Sequence, residues 1–218
     1  MNLDGLDAII FDFDGVLVES VDVKTLAFAA LYADHGAKIV AQVTDYHLHH
    51  GGISRFDKFQ YFQTELLGRA PLSEQEIADL ATSFSNLVVD QVVSAPMVPG
   101  AQQFLDKCRG QLRLFVVSGT PTAELDDIIR RRKLLAYFSA IWGSPQSKAQ
   151  NIAELLCDHE LRASRCVMIG DAIADFEGAA ANAVHFLGRT AKNVESPFSS
   201  NIVTFRDFTD LPASWDSR

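Results

Sequence analysis

Five short runs of apolar, largely β-branched residues constrain this chain more than any other feature: Ala8 to Phe11, Leu112 to Val117, Cys166 to Ile169, Val184 to Leu187 and Ile202 to Phe205. Short runs dominated in this way by apolar residues read as buried strands. Helical stretches separate the later runs, so the C-terminal half alternates strand and helix, as a parallel sheet with right-handed crossovers does. The expected class is α/β, a doubly wound Rossmann-like parallel sheet. Pro99 and Gly110 bracket one helix, and Thr120 followed by Pro121 reads as the cap and first turn of another.

Between Glu19 and Ser94 no strand run occurs, and the gap is too long for an ordinary crossover. We therefore expect residues 19–93 to be an inserted α-helical domain on an α/β core made of residues 1–18 and 94–218. A total of 218 residues suits one large domain carrying a smaller one. Within the insertion Phe56, Phe59, Phe62 and Leu66 recur at helical spacing, as a core-facing stripe does. Ser73 with Glu76 forms a capping box ahead of a helix running through Leu87 to Val93.

The polar residues collect where the strands end. The first run stops at Asp12-Phe13-Asp14-Gly15, the second at Ser118-Gly119-Thr120, the third at Gly170-Asp171. In an open parallel sheet these carboxyl ends line one ligand crevice. Asp12, Asp14, Asp171 and Asp175 would crowd several carboxylates there, and like charges at close range push one another's pKa upward unless a cation intervenes. Hard oxygen ligands with no Cys or His beside them favour Mg²⁺. A calcium loop of the EF-hand kind is excluded, because Val16 and Leu17 stand where it needs an oxygen side chain and a glycine. Asp12 and Asp14, two residues apart on extended chain, project to the same face. A carboxylate can attack phosphorus while its neighbour handles protons. Ser118, the amides around Gly119 and Lys148 are suitable donors to the transferring oxygens.

These residues resemble the haloacid dehalogenase-like hydrolase superfamily. Ile10 to Val16 is similar to its first motif and Val116 to Thr120 to its second. Lys148 stands for the third, and Gly170-Asp171 through Asp175 for the fourth. The resemblance implies Asp12 as nucleophile, Asp14 as acid and base, and Ser118, Gly119 and Lys148 as holders of the phosphoryl group. It implies Mg²⁺ on Asp12, the backbone carbonyl of Asp14 and Asp171, with Asp175 supporting the metal shell or orienting Lys148. It also implies a helical cap between the first two motifs, as in the phosphoglycolate phosphatase and β-phosphoglucomutase branch. The expected activity is a phosphatase of small phosphorylated metabolites. The rivals are a sugar phosphomutase, which returns the phosphoryl group to a second hydroxyl, and a phosphoryl-accepting signalling receiver, which Asp14 and the long insertion count against.

Arg55, in the loop-like run Gly51-Gly52-Ile53-Ser54-Arg55, is the candidate to meet the substrate's second anionic or polar group. His47, His49 and His50 read as a solvated helix end, since the three cannot share one helix face. Arg130 to Lys133 follow Glu124, Asp126 and Asp127 in the order that complements a helix dipole. A net charge of −9 weighs against nucleic-acid and anionic-membrane partners. Three cysteines without a C-x-x-C pair suit a reducing compartment, and the expected location is the cytoplasm. The expected assembly is a monomer or weak dimer.

Overall fold

The computed structural model describes residues 3–212. The chain begins with β1 (Ala8–Phe11), followed by four helices: α1 (Val21–Leu31), α2 (Ala37–His49), α3 (Arg55–Tyr61) and α4 (Glu74–Ser94). Then come α5 (Ala101–Cys108), β2 (Arg113–Pro121), α6 (Thr122–Arg131), β3 (Ala140–Ser144), α7 (Lys148–Asp158), β4 (Cys166–Gly170), α8 (Ile173–Ala181), β5 (His185–Arg189) and β6 (Thr204–Phe205). The six strands form one sheet in the order β3-β2-β1-β4-β5-β6, and every pairing is parallel. The expected doubly wound α/β class is the observed one.

Alternation along β1 divides the core into two layers. Ala8 and Ile10 pack with Ile152 and Leu155 of α7 and Ala179 of α8. Ile9 and Phe11 face Phe104 and Leu105 of α5 and Leu125, Ile128 and Ile129 of α6. All four β1 residues are fully buried, which accounts for a run with no polar break. Among the described residues no helix is long and apolar enough to cross a membrane.

Two expectations need correction. The edge strand Ala140–Ser144 is absent from the expected set: its apolar stretch is only Ala140-Ile141-Trp142 before Gly143 and Ser144, shorter than the runs that mark the central strands. Thr120 and Pro121 also do not open α6 as its cap and first turn. β2 continues through Pro121, which takes the N-cap position itself, and the Thr120 side chain turns to other partners. The capping box at Ser73 and Glu76 is present, and it begins a helix that reaches Ser94.

The helices α1 to α4 enclose an aromatic cluster. Phe28 lies 4.4 Å from Phe84, 5.9 Å from Phe59 and 5.7 Å from Phe62, centroid to centroid. Phe59 and Phe62 from the expected stripe are fully buried, while Phe56 and Leu66 are half-buried. The outgoing and returning chain segments run side by side, Glu19 N–H donating to Pro96 O at 3.0 Å and Val98 N–H to Leu17 O at 3.0 Å. Arg132 reaches the C-terminus of α4 and donates to the carbonyls of Val92, Val93 and Ala95 at 2.7 to 2.8 Å, satisfying acceptors the helix end leaves open. Arg130 and Arg131 pair with Asp126 and Asp127 one helical turn back, as the sequence order suggests.

Phe62→Ala removes a fully buried ring from this cluster and should cost about 3–5 kcal/mol of stability, read from the midpoint of urea unfolding. A change within about 0.5 kcal/mol would show that the cluster contributes little.

Candidate active site

Register brings the strand ends together. Phe11 of β1 lies level with Val116 of β2 and Ile169 of β4, so the residues one or two places further on share one rim. Asp12 N–H still donates to Ile169 O at 2.9 Å, which fixes Asp12 beside the end of β4. Beyond it the chain turns at Gly15, whose φ of +74° favours glycine and whose position lies hard against the Asp171 carboxylate. A side chain there would be strained in backbone and would also strike Asp171 Oδ2.

Lys148 reaches the same point from the first turn of α7, which Ser147 and Gln150 begin with a capping box. A cation there sits at the wrong end of the helix dipole. Two buried carboxylates compensate it: Lys148 Nζ donates to Asp12 Oδ2 at 2.8 Å and also to Asp175 Oδ1. Asp175 is pinned from its other oxygen, which accepts from Ala172 N–H at 3.1 Å in the first turn of α8. Burial opposes the Lys148 charge, but Asp12 and Asp175 outweigh it and hold its pKa above the ordinary lysine value.

Carboxylate oxygens of Asp12, Asp171 and Asp175 lie within 4.8 Å of one another. Burial, and next the charges of Asp12 and Asp175, push the Asp171 carboxyl well above its usual pKa. Burial likewise raises Asp175, against the pull of Lys148. Three acids thus share a single lysine, and the set fits a hard divalent cation: oxygen donors only, close together, with a charge excess that one ammonium leaves uncompensated.

Asp14 has a separate environment. Its carboxylate accepts from Ser20 Oγ at 2.6 Å and from Thr120 Oγ1 at 3.0 Å, and it is ion-paired with Lys24 on α1. Burial would raise its pKa, yet the Lys24 charge with the Lys24, Ser20 and Thr120 hydrogen bonds together hold it below the usual aspartate value. Lys24 also donates to Thr120 at 2.7 Å, closing a triangle between β1, β2 and α1. Neither Lys24 nor Thr120 was singled out in the sequence as a partner of Asp14. Thr120 stands on the expected rim after Ser118 and Gly119, whereas nothing in the local sequence marks Lys24, which the packing of α1 brings to Asp14.

Asp12, Asp14, Ser118, Gly119 and Asp171 line one cavity of about 660 Å³. Its roof comes from the helical segment. Gly52 lies so close to Gly119 that a Cβ on Gly119 would stand 2.6 Å from Gly52 O. Arg55 also lines this cavity, but its guanidinium is engaged: Nη1 and Nη2 donate to Glu124 at 2.9 and 2.5 Å, and Nη1 to Ser85 Oγ at 3.0 Å. That group also lies 4.5 Å from the Phe84 ring. Of the three histidines, His49 and His50 are exposed as expected, whereas His47 is buried and lines the cavity. Arg189, at the end of β5, donates to Gly15 O at 2.7 Å and pairs with Glu19, tying the turn after β1 to β5.

Fold and site together define an α/β protein with an acid-rich crevice at the strand ends beside its topological switch point. The chain belongs to the haloacid dehalogenase-like hydrolase family, whose model matches residues 6–182. Phosphoglycolate phosphatase from Synechococcus elongatus is 25% identical over 183 residues, 80% of this chain and 79% of that one. Protein CbbY from Rhodobacter capsulatus is 32% identical over 130 residues, 57% of this chain and 55% of its own length, so that match spans about half of the relative. Among solved structures, β-phosphoglucomutase from Clostridium difficile superposes with a TM-score of 0.76 at 17% identity, covering 95% of this chain and 94% of that one. At that identity the likeness is one of fold.

Lys24→Met removes the charge that offsets burial at Asp14. The Asp14 carboxyl should then titrate above the ordinary aspartate value, as read by ¹³C NMR of the side-chain carbons without added divalent cation. An Asp14 midpoint that stays low in this variant would show that Lys24 does not control it.

Proposed function

We propose that this chain is a Mg²⁺-dependent phosphatase of small phosphorylated metabolites that works through an aspartyl-phosphate on Asp12. The observation that carries this reading is the Asp12 carboxylate at the floor of the cavity, fixed by the Phe13 amide at 2.6 Å and by Lys148 at 2.8 Å. A carboxylate whose two oxygens are each held by a donor, Oδ1 by the Phe13 amide and Oδ2 by Lys148, loses little freedom on attack, which is how orientation lowers a barrier. The relative named phosphoglycolate phosphatase agrees with the reaction class.

In the first step an Asp12 oxygen forms a bond to phosphorus as the bond to the ester oxygen breaks. The departing alkoxide takes its proton from Asp14. In the second step Asp14 accepts a proton from water, the water oxygen attacks phosphorus, and Asp12 is released with inorganic phosphate. Lys24, Ser20 and Thr120 favour the ionised Asp14 that this second step needs. The protonated form used in the first step becomes more abundant as pH falls. Ser118, the Gly119 amide and Lys148 are assigned to the non-bridging phosphoryl oxygens.

Asp12, the backbone carbonyl of Asp14 and Asp171 would hold Mg²⁺, with Asp175 orienting Lys148. When bound, the ion would offset the carboxylate charge and draw electron density from the phosphoryl oxygens. Residues 19–93 are read as a cap over a core of residues 1–18 and 94–218. The bidentate Arg55–Glu124 pair is read as the tie that holds α3 against α6, so Arg55 acts on substrate only through that closure.

Asp12→Asn should lower turnover of an aryl phosphate by about 10⁴-fold or more while circular dichroism stays unchanged. Asp14→Asn should give one rapid turnover on the same ester, whose leaving group needs no proton, and then stall with phosphate on the protein. Phosphatase activity retained in Asp12→Asn would overturn the mechanism.

A further inference from the structure

We propose that Lys58, oriented by His47, is the subsite that receives a second anionic group of the substrate, so that the esters this enzyme selects carry an acid on the alcohol they release. The inference rests on reading the Asp12 crevice as a phosphatase site, and it goes further by naming the substrate class.

Five cations line the cavity: Lys24, Arg55, Lys58, Arg189 and Lys192, of which Lys192 is exposed to solvent. Lys24 is paired with Asp14, Arg55 with Glu124 and Arg189 with Glu19. Lys148, buried behind Asp12, holds Asp12 and Asp175. Among the described residues Lys58 is the buried cation of this wall that has no carboxylate partner. It is 2% exposed, and its ammonium meets His47 Nδ1 at 2.8 Å.

His47 supplies no compensating charge. Burial, and next the charges of Lys58 and Lys24, lower its pKa to about 3, so the ring is neutral and accepts from Lys58 through Nδ1. That tautomer leaves Nε2 carrying its hydrogen as a second donor. The Phe28 ring, 5.6 Å from the ammonium, adds only a weak cation–π attraction.

A lysine in this position costs folding free energy unless an anion joins it. Burial, and next the charges of Lys24, Lys148 and Arg55, pull its pKa down to about 7, the mark of a cation short of negative charge. The three acids around Lys148 form a site with excess negative charge, and Lys58 is the opposite site on the same cavity. A molecule bearing a phosphate ester at one end and an acid at the other would serve both, once a divalent cation balances the floor. Arg55, the residue that the sequence suggested for this contact, is already neutralised by Glu124. Lys58, one turn further along α3, offers the charge that Arg55 does not. Carboxylate and phosphate both satisfy this chemistry. A single ammonium balances one charge, so a carboxylate is favoured over a second phosphate carrying nearly two.

The test uses three esters of one chain length: n-propyl phosphate, the same ester ending in a carboxylate, and the same ester ending in a second phosphate. The wild type should show kcat/KM about 10- to 100-fold higher for the carboxylate ester than for n-propyl phosphate. Lys58→Met should bring that ratio close to one, and Lys58→Arg should restore part of it. The Tm of Lys58→Met should rise, since a buried uncompensated charge has been removed, so lost selectivity cannot be attributed to unfolding. Lys58→Gln provides a second variant with a polar end and should lose the same selectivity. A Lys58-dependent preference for the second-phosphate ester would support the subsite and identify its anion as phosphate. A wild-type ratio near one, or a ratio unchanged in both Lys58→Met and Lys58→Gln, would overturn the proposal. Dissociation constants for the three esters, measured by calorimetry, should follow the same ratios. An enzyme that binds by these ratios but turns over none of the esters would sink the phosphatase reading and leave the subsite standing.

Discussion

A lysine ammonium buried between two aspartates, with a third aspartate beside them, is the contact on which the rest of the site depends. Lys148 joins the first turn of α7 to the end of β1 through Asp12 and to the first turn of α8 through Asp175. Removing one partner from such a buried pair commonly costs about 3–5 kcal/mol, because the other charge is left stranded. The arrangement therefore fixes three elements of the core relative to one another, and it does so at the point where the proposed chemistry occurs. Its charge is unbalanced: Asp12, Asp171 and Asp175 share one lysine, and burial, together with that excess, raises the pKa of Asp171.

The two neighbouring acids of the opening motif are chemically distinct because different segments surround them. Asp12 faces the lysine of α7 and an amide of its own turn. Asp14 faces a lysine on α1 and hydroxyls from the chain before α1 and from β2. One carboxylate is thereby fixed in orientation and the other held below the usual aspartate pKa. The proposed division into nucleophile and proton carrier follows from these separate sets of partners. The helices α1 to α4 take part directly, since Lys24, Gly52, Arg55 and Lys58 all line the cavity.

What was legible in the sequence was what local pattern determines. Strands buried on both faces announce themselves as apolar runs, and the polar residues at their ends reveal the rim; Asp12, Asp14, Ser118 and Asp171 were accessible for that reason. The edge strand Ala140–Ser144 was not, because only three apolar residues precede Gly143 and Ser144. Partnerships between distant segments were also hidden. Nothing near Lys24 indicates that it will meet Asp14 and Thr120, and nothing near Arg55 indicates that Glu124 will claim it. His47 looked like one of three solvated histidines until α2 packed against Phe28, where the rings lie 4.7 Å apart.

The acids Asp12, Asp171 and Asp175 are proposed to take up a divalent cation, and calorimetric titration with Mg²⁺ reads that uptake. Performed in buffers of different ionisation enthalpy, it should show one ion bound per chain with proton release that grows as pH falls, because burial, and next Asp12 and Asp175, hold the Asp171 carboxyl well above its usual pKa. The same titration of Asp171→Asn should show binding weakened by at least about tenfold. Absence of Mg²⁺ binding by the wild type, or equal binding by Asp171→Asn, would contradict the account.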